Sequence, residues 1–213
     1  MLKLASALIA GFVAMGGWAV VTVKDLPEYF VAGQQYTIEF QVRQHGRTLL
    51  SGLRPQLVLE SPGARPVVVP AVSRSSEGTY AATFTAPAAD QVGLTIRSGF
   101  GNTELQLYPE PVVAAGSSRP ALPARDRGQM LFVAKGCNTC HSNIDLARRP
   151  DNPAAFTVGP DLGGRHLARE YVLQKVKNPS SQIMPDLRLS DAEASAIAAF
   201  LSEGRAAATG GGR

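Results

Sequence analysis

Apolar and polar side chains alternate over much of the first half of the chain. From Tyr36 to Arg43 the apolar residues take every second position, which is the period of a β-strand with one buried face. Gly and Pro residues separate this stretch from similar ones that follow, as turns would. Further strands are predicted around Leu57–Leu59, Val67–Val69, Tyr80–Phe84, Val92–Ile96 and Leu105–Leu107.

These stretches predict one β-rich domain followed by a linker. With a first strand expected at Trp18–Val23, there are about seven short strands in residues 18–109. That number and spacing predict an all-β sandwich of the immunoglobulin-like type. Residues 110–124 lack a period and are rich in Pro and Ala, which indicates a semi-extended linker.

The hydrophobic period becomes helical beyond the linker. We predict helices over Gly128–Lys135 and Ala168–Lys177. Ser190 and Glu193 have the spacing of a capping box at the start of a last helix. Residues 125–205 are therefore expected to form an all-α domain.

Composition and charge are those of a folded protein with two unlike halves. The chain is 45% hydrophobic and 18% charged, which is typical of globular proteins. Residues 18–115 contain 7 Lys and Arg against 8 Asp and Glu, and residues 119–213 contain 13 against 9, giving net charges of −1 and +4. The positive second half favours docking on an acidic partner protein and does not point to nucleic acid. The Gly-rich residues 206–213 are expected to form a flexible tail.

The N-terminus has the features of an export signal. Lys3 precedes an uncharged apolar run from Leu4 to Val23, and Ala14-Met15-Gly16 offers a small-x-small cleavage site. Residues 1–17 are therefore either removed or retained as a membrane anchor, since the run is long enough to cross a bilayer. Both alternatives predict that the protein is periplasmic or lies on the outer face of the cytoplasmic membrane.

The two cysteines carry the strongest chemical signal. Cys137 and Cys140 are the only cysteines, and His141 follows directly. Thiols three positions apart project to the same side of a helical turn and can bond the two vinyl groups of a haem, while the adjacent imidazole can ligate the iron. A redox dithiol is the alternative. Such dithiols usually lie near a βαβ unit, whereas the residues around this motif are predicted to be helix and loop. The motif predicts one covalently attached haem c.

Three residues compete for the second axial position on the iron. Met184 lies well downstream of His141 in a loop between two predicted helices, where a lone Met is poorly explained by core packing. Met130 precedes the motif on a helix and is interpreted as a packing residue. His166 would instead give an iron with two histidine ligands. A histidine just before a helix is more simply explained as a surface residue.

Residues 124–204 resemble a class I monohaem cytochrome c. The shared features, in family order, are Gly128 with Phe132 on the first helix, Lys135-Gly136-Cys137-Asn138-Thr139-Cys140-His141, Gly159-Pro160-Asp161-Leu162-Gly163, Met184-Pro185, and the capped last helix. The resemblance implies an all-α cytochrome c fold for this domain.

The resemblance also implies roles for individual residues. Gly128 is expected to let the first helix cross closely over the last near Phe200. The Pro160 carbonyl is expected to accept a hydrogen bond from His141, and Met184 is expected to be the axial sulfur. Met/His ligation raises the reduction potential relative to bis-His ligation. The implied activity is electron transfer rather than enzymatic catalysis.

The β-rich domain shows no catalytic constellation. His45 lies in a predicted hairpin turn, and no Met follows Met15 in this domain, so copper binding is poorly supported. The segments Leu26-Pro27-Glu28-Tyr29 and Arg43-Gln44-His45-Gly46 resemble immunoglobulin-like domains attached to some membrane and periplasmic oxidase-assembly proteins. The resemblance implies a docking or spacing module.

Three functions are compatible with these features. The first is an electron carrier, free or anchored, that exchanges electrons with redox partner proteins. The second is a permanently bound haem subunit of a larger respiratory or photosynthetic membrane complex. The third is an enzyme or gas sensor with an open iron site.

Overall fold

The computed structural model of the protein describes residues 17–146, 158–180 and 184–204. The predicted export segment, apart from residue 17, and the predicted tail lie outside these residues. Within them, no helix combines the length and the apolar character needed to cross a membrane.

Eleven strands and four helices make up the described part of the chain. The strands are β1 (Ala19–Val23), β2 (Phe30–Val31), β3 (Gln35–Gln44), β4 (Thr48–Leu49), β5 (Gln56–Glu60), β6 (Val67–Pro70), β7 (Val72–Ser73), β8 (Thr79–Thr85), β9 (Gln91–Arg97), β10 (Glu104–Gln106) and β11 (Glu110–Val113). The helices are α1 (Ala124–Ala134), α2 (Cys137–Cys140), α3 (Arg169–Lys177) and α4 (Asp191–Glu203).

The strands form two sheets that pack as a sandwich. One sheet has the order β1-β3-β8-β7, with β4 paired to β3. The other has the order β2-β11-β9-β5-β6, with β10 paired to β9, and β2 runs parallel to β11. This is the arrangement of an immunoglobulin-like domain, in which strands A, B, E and D face strands G, F and C. The predicted fold class of the first domain is confirmed.

Aromatic side chains fill the space between the sheets. Phe30, Phe40 and Tyr80 are almost completely buried, and the rings of Phe30 and Phe84 meet edge to face with centroids 5.5 Å apart. The buried Tyr80 hydroxyl donates to the Leu50 carbonyl at 2.7 Å, so its burial leaves no polar group unpaired. The alternating positions of β3 and β9 supply much of the remaining core.

The structure departs from the predicted linker at its start. Glu110–Val113 form strand β11 of the second sheet, although residues 110–124 were expected to lie outside the sandwich. The sequence does not predict this strand, because Pro111 cannot donate a hydrogen bond to a neighbouring strand and so argues against a strand assignment. Val112 is buried in the sandwich core, and its N–H donates to the Asp90 carbonyl at 2.9 Å, so burial and pairing together hold the segment in the sheet.

The predicted hairpin turn at His45 is confirmed. His45 and Gly46 both have positive φ, at 51° and 72°, and Arg47 N–H donates to the Gln44 carbonyl at 2.9 Å. Two successive residues with positive φ are what a tight type I′ hairpin turn requires, and Gly favours the second position.

Helices α1 and α4 cross at very short range. A methyl group added at Gly128 would lie 1.9 Å from the Ala196 carbonyl oxygen, so only glycine fits there. One turn further along, the rings of Phe132 and Phe200 pack edge to face with centroids 5.7 Å apart. The expected role of Gly128 is confirmed.

The start of α4 is capped as predicted. The Ser190 hydroxyl accepts from Glu193 N–H at 3.3 Å, and the Glu193 carboxylate accepts from Ser190 N–H at 3.0 Å. This reciprocal pair satisfies two amide groups that a helix start would otherwise leave unpaired.

Candidate haem site

A glycine separates helix α1 from the cysteine turn. Gly136 has φ of 75°, a left-handed conformation that ends α1 and redirects the chain. Cys137–Cys140 then form a single helical turn, which brings the two thiols to one side. The backbone leaves the turn at His141, whose N–H donates to the Cys137 carbonyl at 2.9 Å.

The His141 ring is held in one tautomer. Its Nδ1 lies 2.9 Å from the Pro160 carbonyl oxygen. Because a carbonyl oxygen can only accept, Nδ1 carries the proton and Nε2 is left with the lone pair that a metal needs. Gly159 lies directly against the ring, since a methyl group there would be 2.4 Å from Cε1 of His141. The segment is tied to the cysteine turn by Gly159 N–H, which donates to the Cys140 carbonyl at 2.9 Å.

One cavity of about 340 Å³ brings together all the residues that the sequence predicted for the site. Its polar and sulfur-bearing walls include Cys137, Cys140, His141 and Met184, with Pro160 beside them. Most of the other lining residues are apolar, namely Val20, Val158, Leu162, Leu167, Tyr171, Val172, Val176, Pro179, Pro185, Leu187 and Leu201.

The structure separates the three candidates for the second axial position. Met184 borders the cavity, whereas Met130 on α1 and His166 are not among the described residues that line it. His166 has positive φ of 45°, and its Nδ1 lies 3.3 Å from the Ser202 carbonyl oxygen. Of the three, Met184 alone shares a cavity with His141.

The surroundings make both partly buried thiols weaker acids than a free cysteine. Burial raises the pKa of Cys137 to about 12, with a smaller contribution from Cys140, and burial also raises the pKa of Cys140. Redox dithiols depend on a lowered thiol pKa, because the thiolate is the attacking species. This environment therefore weighs against the redox dithiol alternative.

Lys135 and Val20 are two of the cavity-lining residues to which the sequence analysis gave no role in the site. Lys135 is only 4% exposed, and its ammonium group contacts the Lys24 carbonyl and the Glu193 carboxylate, the latter at 2.5 Å. Burial alone would raise the pKa of Glu193, but hydrogen bonds from Lys135 and Ser190 outweigh it and lower that pKa. Val20, the other residue, belongs to the sandwich. Its only signal in the sequence is that β1 is apolar at nearly every position, as in a strand buried on both faces.

The residues present fit a c-type haem. A His/Met-ligated haem of this type needs two thiols on one side, a neutral imidazole nitrogen and a thioether, in a largely apolar pocket. This cavity is largely apolar, and Cys137, Cys140, His141 and Met184 all border it. Within the described residues, no group of three or more His, Cys, Asp or Glu side chains forms an alternative metal site.

A helical domain whose cavity gathers two cysteines, a histidine and a methionine has the features of a c-type cytochrome. Comparison with protein families supports this class, because residues 123–201 match the family described as "Cytochrome C oxidase, cbb3-type, subunit III". The C-terminal part is therefore a c-type cytochrome domain with a cytochrome c fold, and its cofactor is covalently bound haem c with iron.

The remaining comparisons add little to this assignment. No curated protein gives a significant match. A solved structure titled "Crystal structure of the Lin-41 filamin domain" aligns with 44% of this chain and 91% of its own length, at 18% identity and a TM-score of 0.34. The immunoglobulin-like assignment of the first domain rests on its strand order.

Proposed function

We propose that the protein transfers single electrons through a haem that is bonded to Cys137 and Cys140 and ligated by His141 and Met184. The observation that carries this proposal is the shared cavity, in which the His141 ring is already fixed in the metal-binding tautomer by Pro160. When bound, the haem supplies a one-electron iron couple.

Each of these residues has a distinct task. The two thiols form thioethers that prevent loss of the cofactor. The Pro160 carbonyl orients His141 and increases the basicity of its ligating nitrogen. The thioether of Met184 favours the reduced iron relative to a second imidazole, and the apolar walls restrict water. Together they keep the same ligands in both oxidation states, which suits electron transfer.

The ligand assignment is tested with Met184→Ala. We expect this variant to lose the far-red absorption band of the oxidised thioether-ligated haem, to have a lower reduction potential, and to bind added imidazole. Met130→Ala is the matched control, because Met130 is half-buried on α1 away from the cavity. An unchanged spectrum in Met184→Ala would remove Met184 from the site, and His166→Ala would then test bis-His ligation.

The partners are proposed to be redox proteins, including a membrane oxidase complex. The family whose model matches is described as an oxidase subunit, and the helical half of the chain carries the positive charge. A positive surface promotes encounter with an acidic partner and makes association sensitive to salt. The sandwich is proposed to contribute to docking, and the N-terminal segment to direct export.

Chromatography separates a free carrier from a bound subunit. A mild detergent extract of the native membrane, run at moderate salt, should show the haem of a carrier at the size of one chain. Elution with a large complex instead would favour the permanently bound haem subunit.

A further inference from the structure

Strand β1 of the sandwich is buried on both faces. Ala19, Val21 and Val23 belong to the hydrophobic core. Val20 and Thr22 point to the opposite face, yet they are only 3% and 6% exposed. An outward face of a sheet this well buried must be covered by something other than the sandwich.

The helical domain provides that cover at Gly136. A methyl group added at Gly136 would lie 2.5 Å from the Val21 carbonyl oxygen and 2.7 Å from Cγ1 of Val20. Gly136 immediately precedes Cys137, so the sandwich backbone touches the turn that carries the thiols. Val20 itself borders the same cavity as His141.

Hydrogen bonds fix this contact. The Thr22 hydroxyl donates to the Lys135 carbonyl at 3.3 Å, and the Lys135 ammonium group donates to the Lys24 carbonyl. Both ends of Lys135 are therefore bonded to β1 or to the residue that follows it. The strand cannot slide without breaking these bonds.

The neighbouring strand β3 extends the contact towards the loop of Met184. Arg43 is paired with Val20 in the sheet, so the two side chains lie on the same face. Burial lowers the pKa of Arg43, and the charges of Asp186 and Arg188 in the Met184 loop also act on it. The same face of the sheet is thus near both the cysteine turn and the methionine loop.

We propose that this outer face of the sandwich is a wall of the haem site, and that the Val20 side chain raises the reduction potential by excluding water from the haem. The inference rests on the proposed function, since it requires the haem to occupy this cavity. It assigns the sandwich a role in the electronic properties of the iron, beyond docking or spacing.

The test is Val20→Thr in the full-length holoprotein. This change keeps the size and branching of the side chain but puts a hydroxyl next to the cavity. A more polar surrounding favours the ferric iron, so we expect a shift of the reduction potential to lower values. The control is Val23→Thr, which makes the same change in the same strand towards the sandwich core. It should leave the potential unchanged.

A second pair of variants tests the contact between the domains. Gly136→Ala places a methyl group against the Val20 side chain and the Val21 carbonyl. Gly116 also has a positive φ, at 81°, but the methyl group that Gly116→Ala adds would have no atom within 4 Å. Both substitutions carry backbone strain, but only Gly136→Ala should lower the potential.

The outcomes distinguish this inference from the function on which it rests. Suppose that Met184→Ala behaves as expected, but that Val20→Thr and Val23→Thr have the same potential as the unmodified protein. The inference that the sandwich forms a wall of the haem site is then wrong, and the ligand assignment stands. If Val20→Thr and Val23→Thr lower the potential equally, the effect comes from the stability of the sandwich, and the inference fails. If the purified protein has no Met184-dependent spectrum, the proposed function itself fails.

Discussion

The carboxyl group of Glu110 is buried, and neither of its oxygens has a hydrogen-bond partner among the described residues. The residue is 0% exposed. Burial raises its pKa from 4.5 to about 8, and the positive charge of Arg127 opposes this only in part. At neutral pH the folded protein therefore keeps Glu110 protonated.

Glu110→Gln should make the protein more stable at alkaline pH. Below pH 4.5 the carboxyl group is protonated in both the folded and the unfolded chain, so it adds no pH dependence. Between 4.5 and about 8 the unfolded chain releases the proton while the folded chain retains it, so stability falls as pH rises. Above about pH 8 the decrease in the free energy of unfolding is complete and reaches about 5 kcal/mol.

The measurement is urea unfolding of the holoprotein from pH 5 to pH 9. Glu110→Gln removes the ionisation, so its free energy of unfolding should exceed that of the unmodified protein increasingly over this range. Glu77→Gln, at an exposed position, is the control and should leave the curve unchanged. Parallel curves for the unmodified protein and Glu110→Gln would show that Glu110 does not titrate between these limits.

Among the elements, the crossing of α1 and α4 depends on one missing side chain. In an exposed helix, replacing Gly by Ala adds about 1 kcal/mol of stability. At Gly128 the sign should reverse, because the added methyl group would lie 1.9 Å from the Ala196 carbonyl oxygen and 2.9 Å from Cβ of Phe200. The helices would have to separate to accommodate it.

Gly128→Ala should destabilise the helical domain by about 3 kcal/mol, at the upper end of the usual cost of overpacking. Thermal unfolding followed by haem absorbance measures this effect. Ser195→Ala is the control, because it introduces Ala at a half-buried position of α4 and removes an atom instead of adding one, and it should be neutral or slightly stabilising. Equal melting temperatures for Gly128→Ala and the unmodified protein would mean that the crossing tolerates a wider separation.

The elements were predictable where local pattern and burial agree. Strand β3 alternates from Gln35 to Arg43, and α4 combines a capping box with apolar residues at helical spacing, so sequence inspection finds both. The strands β2, β4 and β7 have two residues each, too few to show a period. These short strands and β11 exist because longer neighbours pair with them, and that information is not local.

Part of the candidate haem site is also readable from local sequence. Cys137, Cys140 and His141 are adjacent in the sequence, and their chemistry requires that spacing. Met184, which borders the same cavity, was predicted because few soft ligands follow the motif. Val20 is more than a hundred residues from the motif and is an ordinary strand residue in the sequence. Only the packing of the domains shows its position.

In the molecule as a whole, the two domains are joined by specific polar contacts. The Arg127 guanidinium on α1 donates to the Leu26 carbonyl and, at 3.4 Å, to the Pro27 carbonyl. The Gln129 amide donates to the Tyr108 hydroxyl at 3.0 Å. Because these partners lie in different domains, unfolding of one domain should destabilise the other.

The domains should therefore unfold in a single transition. Trp18, the only tryptophan, reports on the sandwich by fluorescence, and haem absorbance reports on the helical domain. Both signals should change at the same urea concentration in the unmodified protein. Arg127→Ala should separate the two midpoints, because it removes two hydrogen bonds from the charged guanidinium to sandwich carbonyls. A hydrogen bond from a charged donor is worth about 1.5 to 3 kcal/mol.

Arg119→Ala is the control for this experiment, since Arg119 is exposed in the segment between the domains. It should keep the two midpoints together. Two separate transitions in the unmodified protein would show that the domains unfold independently despite their contacts.

Strand β1 is also the outermost strand of its sheet. The Val42 amide and carbonyl bond Gly78 and Leu50, so the opposing Val21 carbonyl is directed away from β3 and towards Gly136. Uncovered strand edges of this kind recruit further strands and cause aggregation. A sandwich separated from the helical domain would expose this edge together with the apolar side chain of Val20, and it would tend to aggregate. Contact with the helical domain thus protects the solubility of the sandwich.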